Sequence, residues 1–168
     1  MGDGLKKKFF LFFLLLSSNA FASSLFLEAE LRGINNTCLN YLGQIESSYD
    51  LNGLNITFAH PDNPSILPSL HISSQKYNNG SSSFSATLTP DGDHCYLSSI
   101  MITAINNQSC SAIAEIKVNN DKNLQSSTYA EGIYIILTPK DSSYQTILTS
   151  SGENACTITE SRMMWPGK

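Results

Sequence analysis

The chain has 168 residues, of which 14 are acidic and 10 are basic, so its formal net charge is −4. It carries no basic stripe, and such a chain is a poor candidate for binding nucleic acid or an anionic lipid surface. A protein partner, in particular a basic one, fits this charge better.

Residues 1–22 have the pattern of a secretory signal peptide. Three lysines precede an apolar run at residues 9–16, and Ala20-Phe21-Ala22 then forms the small-x-small sequence after which signal peptidase cuts. The run is far short of the ~20 residues that span a bilayer, so we expect no stable membrane insertion. The expected mature protein is a single exported β domain, residues 23–168, periplasmic or secreted, with a net charge of −6.

The first two segments after the signal have different periods. "LFLEAEL" (25–31) alternates apolar residues with glutamates, which predicts a first strand. "TCLNYLGQIESSY" (37–49) has Leu39, Leu42 and Ile45 at a spacing of three, which predicts a short helix that begins at Thr37.

Short strand-like segments separated by turn residues fill the rest of the chain. Three prolines within residues 59–69 prevent regular pairing, so this stretch is expected to be a loop. The pattern predicts an all-β fold, a small disulfide-stabilised antiparallel sandwich or barrel with one short N-terminal helix. The candidate strands are residues 54–58, 69–73, 84–89, 96–105, 112–118, 132–138, 144–149 and 156–161.

Four cysteines lie beyond the signal, namely Cys38, Cys95, Cys110 and Cys156. An even count behind an export signal predicts two disulfides formed in an oxidising compartment. Three pairings are possible, and sequence does not choose among them. Our preference is Cys95–Cys110, which would close a loop of about fifteen residues, with Cys38–Cys156 as the second bond.

A faint repeat relates residues 85–98 to residues 145–159, with one inserted residue. Both copies contain a strand ending in Leu-Thr, a turn with glycine and an acidic residue, and a cysteine that opens the next strand. Duplication of a hairpin and convergence on common turn residues both remain open.

The repeat bears on a polar cluster at "TPDGDHC" (89–95). Asp91, Asp93, His94 and Cys95 together suggest a metal or catalytic site, but the second copy has Asn154 where His94 stands. A metal site also needs ligands from separate elements. The favoured interpretation is a tight turn that delivers Cys95 to its disulfide, with no metal and no cofactor.

Catalytic patterns are lacking elsewhere. No serine lies in a G-x-S-x-G motif, and the three histidines, His60, His71 and His94, form no recognisable trio with an acid and a nucleophile. We assign no catalytic residue, and whether the chain is an enzyme stays uncertain, with the balance against it.

Aromatic residues suggest binding instead. Tyr129, Tyr134 and Tyr144 surround one predicted hairpin, and Trp165 lies near the C-terminus. Tyrosine and tryptophan are common anchors of protein interfaces, so these four are the candidate binding residues. The alternative is that they cover the ends of a sandwich.

Residues 126–140, "SSTYAEGIYIILTPK", carry a Tyr-x-x-Gly-x-Tyr hairpin that is followed by a strand and Cys156. In this it is similar to periplasmic lysozyme inhibitors, although the Ser-Gly-x-x-Tyr and Lys-Gly elements of that family are not intact here. The resemblance implies a protein-binding role.

The favoured function is therefore an exported non-catalytic binding protein, such as an inhibitor or immunity factor against an enzyme that targets the cell envelope. One alternative is a structural or adhesive surface subunit, for which "SLFLEAEL" (24–31) could serve as a donor strand. The other is a small secreted hydrolase that clusters one histidine with an acid.

Overall fold

Eight antiparallel strands form one continuous sheet in the computed structural model, which describes residues 24–140 and 144–164. The predicted signal peptide lies outside the described residues. The strands are β1 (Leu54–Phe58), β2 (Ser69–Tyr77), β3 (Gly80–Asp91), β4 (His94–Asn106), β5 (Leu124–Tyr129), β6 (Tyr134–Pro139), β7 (Gln145–Gly152) and β8 (Ala155–Met164). Their spatial order is β1-β2-β3-β4-β8-β7-β6-β5.

Three α-helices accompany the sheet: α1 (Leu25–Leu31), α2 (Asn36–Tyr49) and α3 (Cys110–Asn120). The prediction of a mainly antiparallel, disulfide-stabilised β fold is confirmed. Within the described residues the sheet does not close on itself, since β1 and β5 are its two edges. The fold is thus open and sandwich-like, with helices as the layer that packs on the sheet.

All three helices pack on the same face of the sheet. The first core joins α1 and α2 to β3 and β4, and it includes Leu97 and Met101. The second core joins α3 to β6, β7 and β8, and it includes Ile158. Ile158 lies directly opposite Thr103, which shares a side of β4 with Leu97 and Met101. Both cores therefore lie on one face, and none of the helices in the described part of the chain packs on the other face.

Two segments predicted as strands are helices. In α1 the Ser24 hydroxyl accepts the Leu27 N–H at 3.1 Å, and Leu25 and Ala29, one turn apart, are fully buried. The alternation in "LFLEAEL" was wrong as a strand signal because Leu27 and Leu31 are exposed.

The second misassigned segment, residues 112–118, belongs to α3. Ser109 caps this helix by accepting the Ala112 N–H at 3.3 Å. Cys110, Ile113 and Ala114 are its buried residues, at helical spacing. The strand prediction for "AIAEIKV" was therefore wrong. The apolar residues of this segment alternate, but they are numerous enough to form one face of a helix as well.

The other predicted helix and strands agree with the structure, apart from one omitted strand. The predicted helix at 37–49 is α2, although Asn35 rather than Thr37 caps it by accepting the Cys38 N–H at 2.9 Å. Each remaining predicted strand overlaps an observed one, and most observed strands are longer. Strand β5 was missed because "LQSSTY" has no apolar alternation, which reflects its exposure at the edge of the sheet.

The disulfides are Cys38–Cys95 and Cys110–Cys156, with Cα–Cα distances of 5.3 and 5.0 Å. Both bonds of the preferred pairing, Cys95–Cys110 and Cys38–Cys156, were therefore wrong. Cys95 lies near the start of β4 and Cys110 follows the end of that strand. A strand of 13 residues is about 40 Å long at ~3.3 Å per residue, whereas disulfide-bonded cysteines have Cα atoms within ~7 Å.

The fold consists of two similar halves, each of which contains one disulfide. Each half has a helix followed by four antiparallel strands, α2 with β1–β4 and α3 with β5–β8. In each, a cysteine in the first turn of the helix is bonded to the second residue of the fourth strand. This arrangement favours duplication of a whole half over chance similarity of two hairpins. Helix α1 is an addition to the first half, where it packs on β1 and β2.

Candidate protein-binding surface

The face of the sheet opposite the helices is the candidate site, and we call it the open face. Side chains alternate along each strand, so every second residue points away from the helices. Ile100 and Ile102 of β4 are exposed there, while Leu97 and Met101 of the same strand are buried in the core. Apolar residues on both sides of one strand are thus divided between the core and the surface.

Apolar side chains continue across the centre of the open face. Ile102 lies opposite Thr159 of β8, which lies opposite Ile147 of β7, which in turn lies opposite Ile136 of β6. Three isoleucines and a threonine thus form one row across four neighbouring strands. Ile102 and Ile147 are both exposed, so the row is accessible.

A second apolar patch lies on β1 and β2, at one edge of the sheet. Leu54, Ile56 and Phe58 alternate along β1 and are all exposed. Ile56 lies opposite Ile72 and Phe58 lies opposite Leu70. Between this patch and the isoleucine row, strand β3 contributes five hydroxyl side chains, namely Ser81, Ser83, Ser85, Thr87 and Thr89, and Asp91 at its end.

Charge is nearly missing from the open face. Among the described strands, Lys76 and Asp91 are the only charged residues at positions that point to this side, and both lie at strand ends. A surface of exposed apolar and hydroxyl groups with charge only at its margin resembles the centre of a protein–protein interface.

The structure separates the four predicted binding residues. Tyr129 and Tyr134 lie directly opposite each other on β5 and β6, at 54% and 44% exposure, and both belong to the open face. Tyr144 lies on the helix-covered side, where its ring centroid is 5.5 Å from the guanidinium of Arg162. Trp165 lies outside the described residues.

Sequence reasoning missed the isoleucines of the open face. The signal was present in "YLSSIMITAI", where Leu97 and Met101 alternate with Ile100 and Ile102. A strand that is apolar on both sides is expected to be covered on both sides. Only the position of the helices shows that the side of β4 with Ile100 and Ile102 is exposed.

Neither His60 nor His71 has an acidic side chain as a hydrogen-bond partner among the described residues. His71 is fully buried, with Nδ1 3.0 Å from the Thr57 hydroxyl and Nε2 2.8 Å from the Ser69 hydroxyl. Burial lowers the pKa of His71 to about 4, so the ring is neutral and one nitrogen accepts a hydrogen bond while the other donates. His60 Nδ1 accepts the Asp62 and Asn63 backbone N–H groups.

The tight turn predicted within residues 89–95 is formed by residues 91–94. Asp91 and His94 are paired as the last residue of β3 and the first of β4, and Gly92 adopts a φ of +56°. Cys95 follows and forms its disulfide. Among the described residues, no three His, Cys, Asp or Glu side chains are grouped in a way that could hold a metal ion.

No protein-family model matches the chain, and neither a curated protein nor a solved structure matches it. The similarity to periplasmic lysozyme inhibitors therefore depends only on the hairpin at residues 126–140 and on the strand and Cys156 that follow it. Within the described part of the chain, no helix is long and apolar enough to cross a membrane.

Proposed function

We propose that the protein is an exported, non-catalytic binding protein that engages a protein partner through its open face. The observation that carries the proposal is the combination of exposed isoleucines and tyrosines with hydroxyl side chains and marginal charge on one side of the sheet. Contiguous exposed apolar surface of this kind is typical of interaction sites.

The width of the open face supports a protein as the ligand. Eight strands spaced ~4.8 Å apart span ~35 Å, and paired stretches ~20 Å long give the face an area of roughly 700 Å², which is close to the ~800 Å² that each partner contributes to a standard interface. A pocket on this face, lined by Thr87, Thr89, Tyr96 and Met163 among others, has a volume of about 150 Å³. This is below the ~300 Å³ of a pocket for a drug-sized molecule, so the face suits a protein better than a small molecule.

Charge indicates the kind of partner. The expected mature chain has a net charge of −6, and within the described strands only Lys76 and Asp91 are charged residues on the open face. A basic partner would be drawn to the protein by its overall field and would then bury a neutral patch without desolvating ions. An inhibitor or immunity factor against a basic envelope-targeting enzyme fits this description. Two disulfides are typical of proteins that work in an oxidising compartment.

A matched pair of lysine substitutions tests the proposal. Ile102 on the open face and Ile116 on α3 are similarly exposed, at 43% and 50%. A partner would first be captured from envelope extract, identified and purified, and its Kd then measured with both variants. We expect Ile102→Lys to weaken binding by at least tenfold, because a charge would be buried in the interface. Ile116→Lys should bind as the wild type does.

Two outcomes would contradict the proposal. One is equal affinity of both variants for the purified partner, which would place the interface elsewhere. The other is that no basic envelope protein binds the wild type at micromolar concentration, while a substrate panel reveals catalytic turnover.

A second candidate function, a self-assembling surface subunit, is favoured by the edges of the sheet. Strands β1 and β5 contain no charged residue and no proline, the usual devices that prevent edge-to-edge pairing. Residues 24–31 cannot supply the donor strand, since they form and cap α1, whose Leu25 and Ala29 are buried in the core. Multi-angle light scattering would favour this function if stable oligomers form without a partner.

A further inference from the structure

A cleft of about 170 Å³ lies on the helix-covered side, between α2 and the central strands β4 and β8. Its walls include Ile45 and Tyr49 of α2, Leu97 and Ser99 of β4, and Arg162 of β8. It is on the opposite side of the sheet from the open face. Whatever it binds is thus independent of the proposed function.

The Arg162 guanidinium contacts two aromatic rings, that of Tyr49, which lines the cleft, and that of Tyr144, which precedes β7. Its central carbon is 5.1 Å from the ring centroid of Tyr49 and 5.5 Å from that of Tyr144. Both distances are within the range of cation–π interactions. Contacts of this kind hold the planar group in place through its faces and leave its N–H edges available for a ligand.

Arg162 has no carboxylate partner among the described residues, although the chain has more acidic than basic residues. Glu160, on the same side of β8, is instead paired with Lys117 of α3 at 3.4 Å. Arg162 is thus oriented by aromatic rings without being neutralised by an ion pair. A guanidinium in this state binds a carboxylate through two parallel N–H···O hydrogen bonds.

The other residues of the cleft and its volume limit the size and polarity of the ligand. Ile45 and Leu97 are buried apolar residues at its base, and Ser99 adds a hydroxyl group. A volume of 170 Å³ is below the ~300 Å³ of a pocket for a drug-sized molecule, so only a compact group can enter. We infer that this cleft binds a carboxylate that is attached to a small apolar body, with Arg162 as the carboxylate-binding residue.

Two kinds of molecule present such a group, a free aliphatic or aromatic acid and the C-terminal residue of a peptide. Four probes separate them: 3-phenylpropionate, its amide, the peptide Ala-Ala-Leu with a free carboxylate, and the same peptide amidated. Calorimetric titration of the disulfide-bonded protein with each probe gives four affinities. We expect at least one acid to bind and its amide to bind at least tenfold more weakly, because the amide carries no charge and presents a single oxygen.

Two substitutions test whether Arg162 is the residue that binds the carboxylate. Arg162→Gln should weaken binding of the acid by at least tenfold. Arg32→Gln removes an exposed arginine of the C-terminal cap of α1, one that is within 4.0 Å of Glu28, and should leave the affinity unchanged. Preference for the peptide or for the free acid identifies the source of the carboxylate.

An NMR measurement on the wild-type protein tests the same assignment without a variant, so a folding defect of Arg162→Gln cannot affect it. The Nε–H resonance of Arg162 should shift on addition of the acid, whereas that of Arg32 should not. The inference is overturned if acids and amides bind equally, if no probe binds at millimolar concentration, or if the Arg162 resonance does not move. All of these results are independent of whether Ile102→Lys weakens binding of a protein partner.

Discussion

Ile100 and Ser161 lie directly opposite each other at the centre of the eight-stranded sheet, and they occupy equivalent positions in its two halves. Cys95 and Cys156 are separated in sequence by the same number of residues as Ile100 and Ser161, and each is the second residue of its strand. A local two-fold axis therefore passes between Ile100 and Ser161. Pairing of β4 with β8 across this axis covers one edge of each half, which explains why two four-stranded units form one sheet.

The disulfides should contribute equally to the stability of the two halves. Their cysteines are 57 and 46 residues apart, and loops of this length correspond to about 4 kcal/mol of chain entropy each. We expect the double variants Cys38→Ala/Cys95→Ala and Cys110→Ala/Cys156→Ala each to lower the free energy of unfolding by roughly that amount. Urea denaturation followed by circular dichroism measures the change.

A third double variant tests the pairing itself. Cys95→Ala/Cys110→Ala leaves Cys38 and Cys156, which belong to different halves and should remain as two free thiols. The other two variants should show no free thiol in a thiol-labelling assay of the unfolded, non-reduced protein. An intact Cys38–Cys156 bond in the third variant would contradict the structure.

His71 should make stability depend on pH. Burial lowers its pKa to about 4 in the folded protein, whereas the unfolded value is ~6.5. Between these values the unfolded chain binds one more proton than the folded chain. The free energy of unfolding should therefore fall as the pH is lowered from about 6.5 to 4, by roughly 3 kcal/mol in all, and this contribution should be constant above pH 7.

Denaturation curves at pH 7, 6, 5 and 4 measure this dependence. His71→Asn should reduce the slope, although it also lowers stability at pH 7 because Thr57 and Ser69 lose hydrogen-bond partners. His94→Asn, at an exposed position in the turn, is the control and should keep the wild-type slope. An NMR titration that places the pKa of His71 near 6.5 would refute the assignment.

Glu46 should be required for α1 to stay in place. Its carboxylate, on α2, accepts the backbone N–H groups of Leu25 and Phe26 at 2.6 and 3.2 Å. Glu46→Ala would leave both donors at the helix N-terminus without this acceptor, at a cost of about 1–2 kcal/mol. We expect faster proteolysis within residues 24–33 and a lower melting temperature.

Glu30→Ala is the matched control for Glu46→Ala. Glu30 is an exposed residue of α1, so its removal should change neither proteolysis nor the melting temperature measurably. Equal proteolysis of the two variants would mean that packing of Leu25 and Ala29, rather than the carboxylate, holds α1.

Strands and turns could be predicted from the sequence because their determinants are local. The alternation in "LNITF" specifies β1, and the Asp-Gly-Asp-His turn at residues 91–94 specifies the β3–β4 connection, each through residues a few positions apart. Local pattern was insufficient for α1 and α3. In these short segments the same apolar residues fit either period, and the choice depends on which neighbours bury Leu25 or Ile113.

The sequence by itself determined the antiparallel β class, the helix that carries Cys38, and the presence of two disulfides. Only the tertiary structure decided which cysteines pair, because the length of β4 keeps Cys95 far from Cys110 in space while they are close in sequence. It also decided that Ile100 and Ile102 are exposed. Both sides of β4 are apolar, and the side that faces solvent is set by helices that pack on the other.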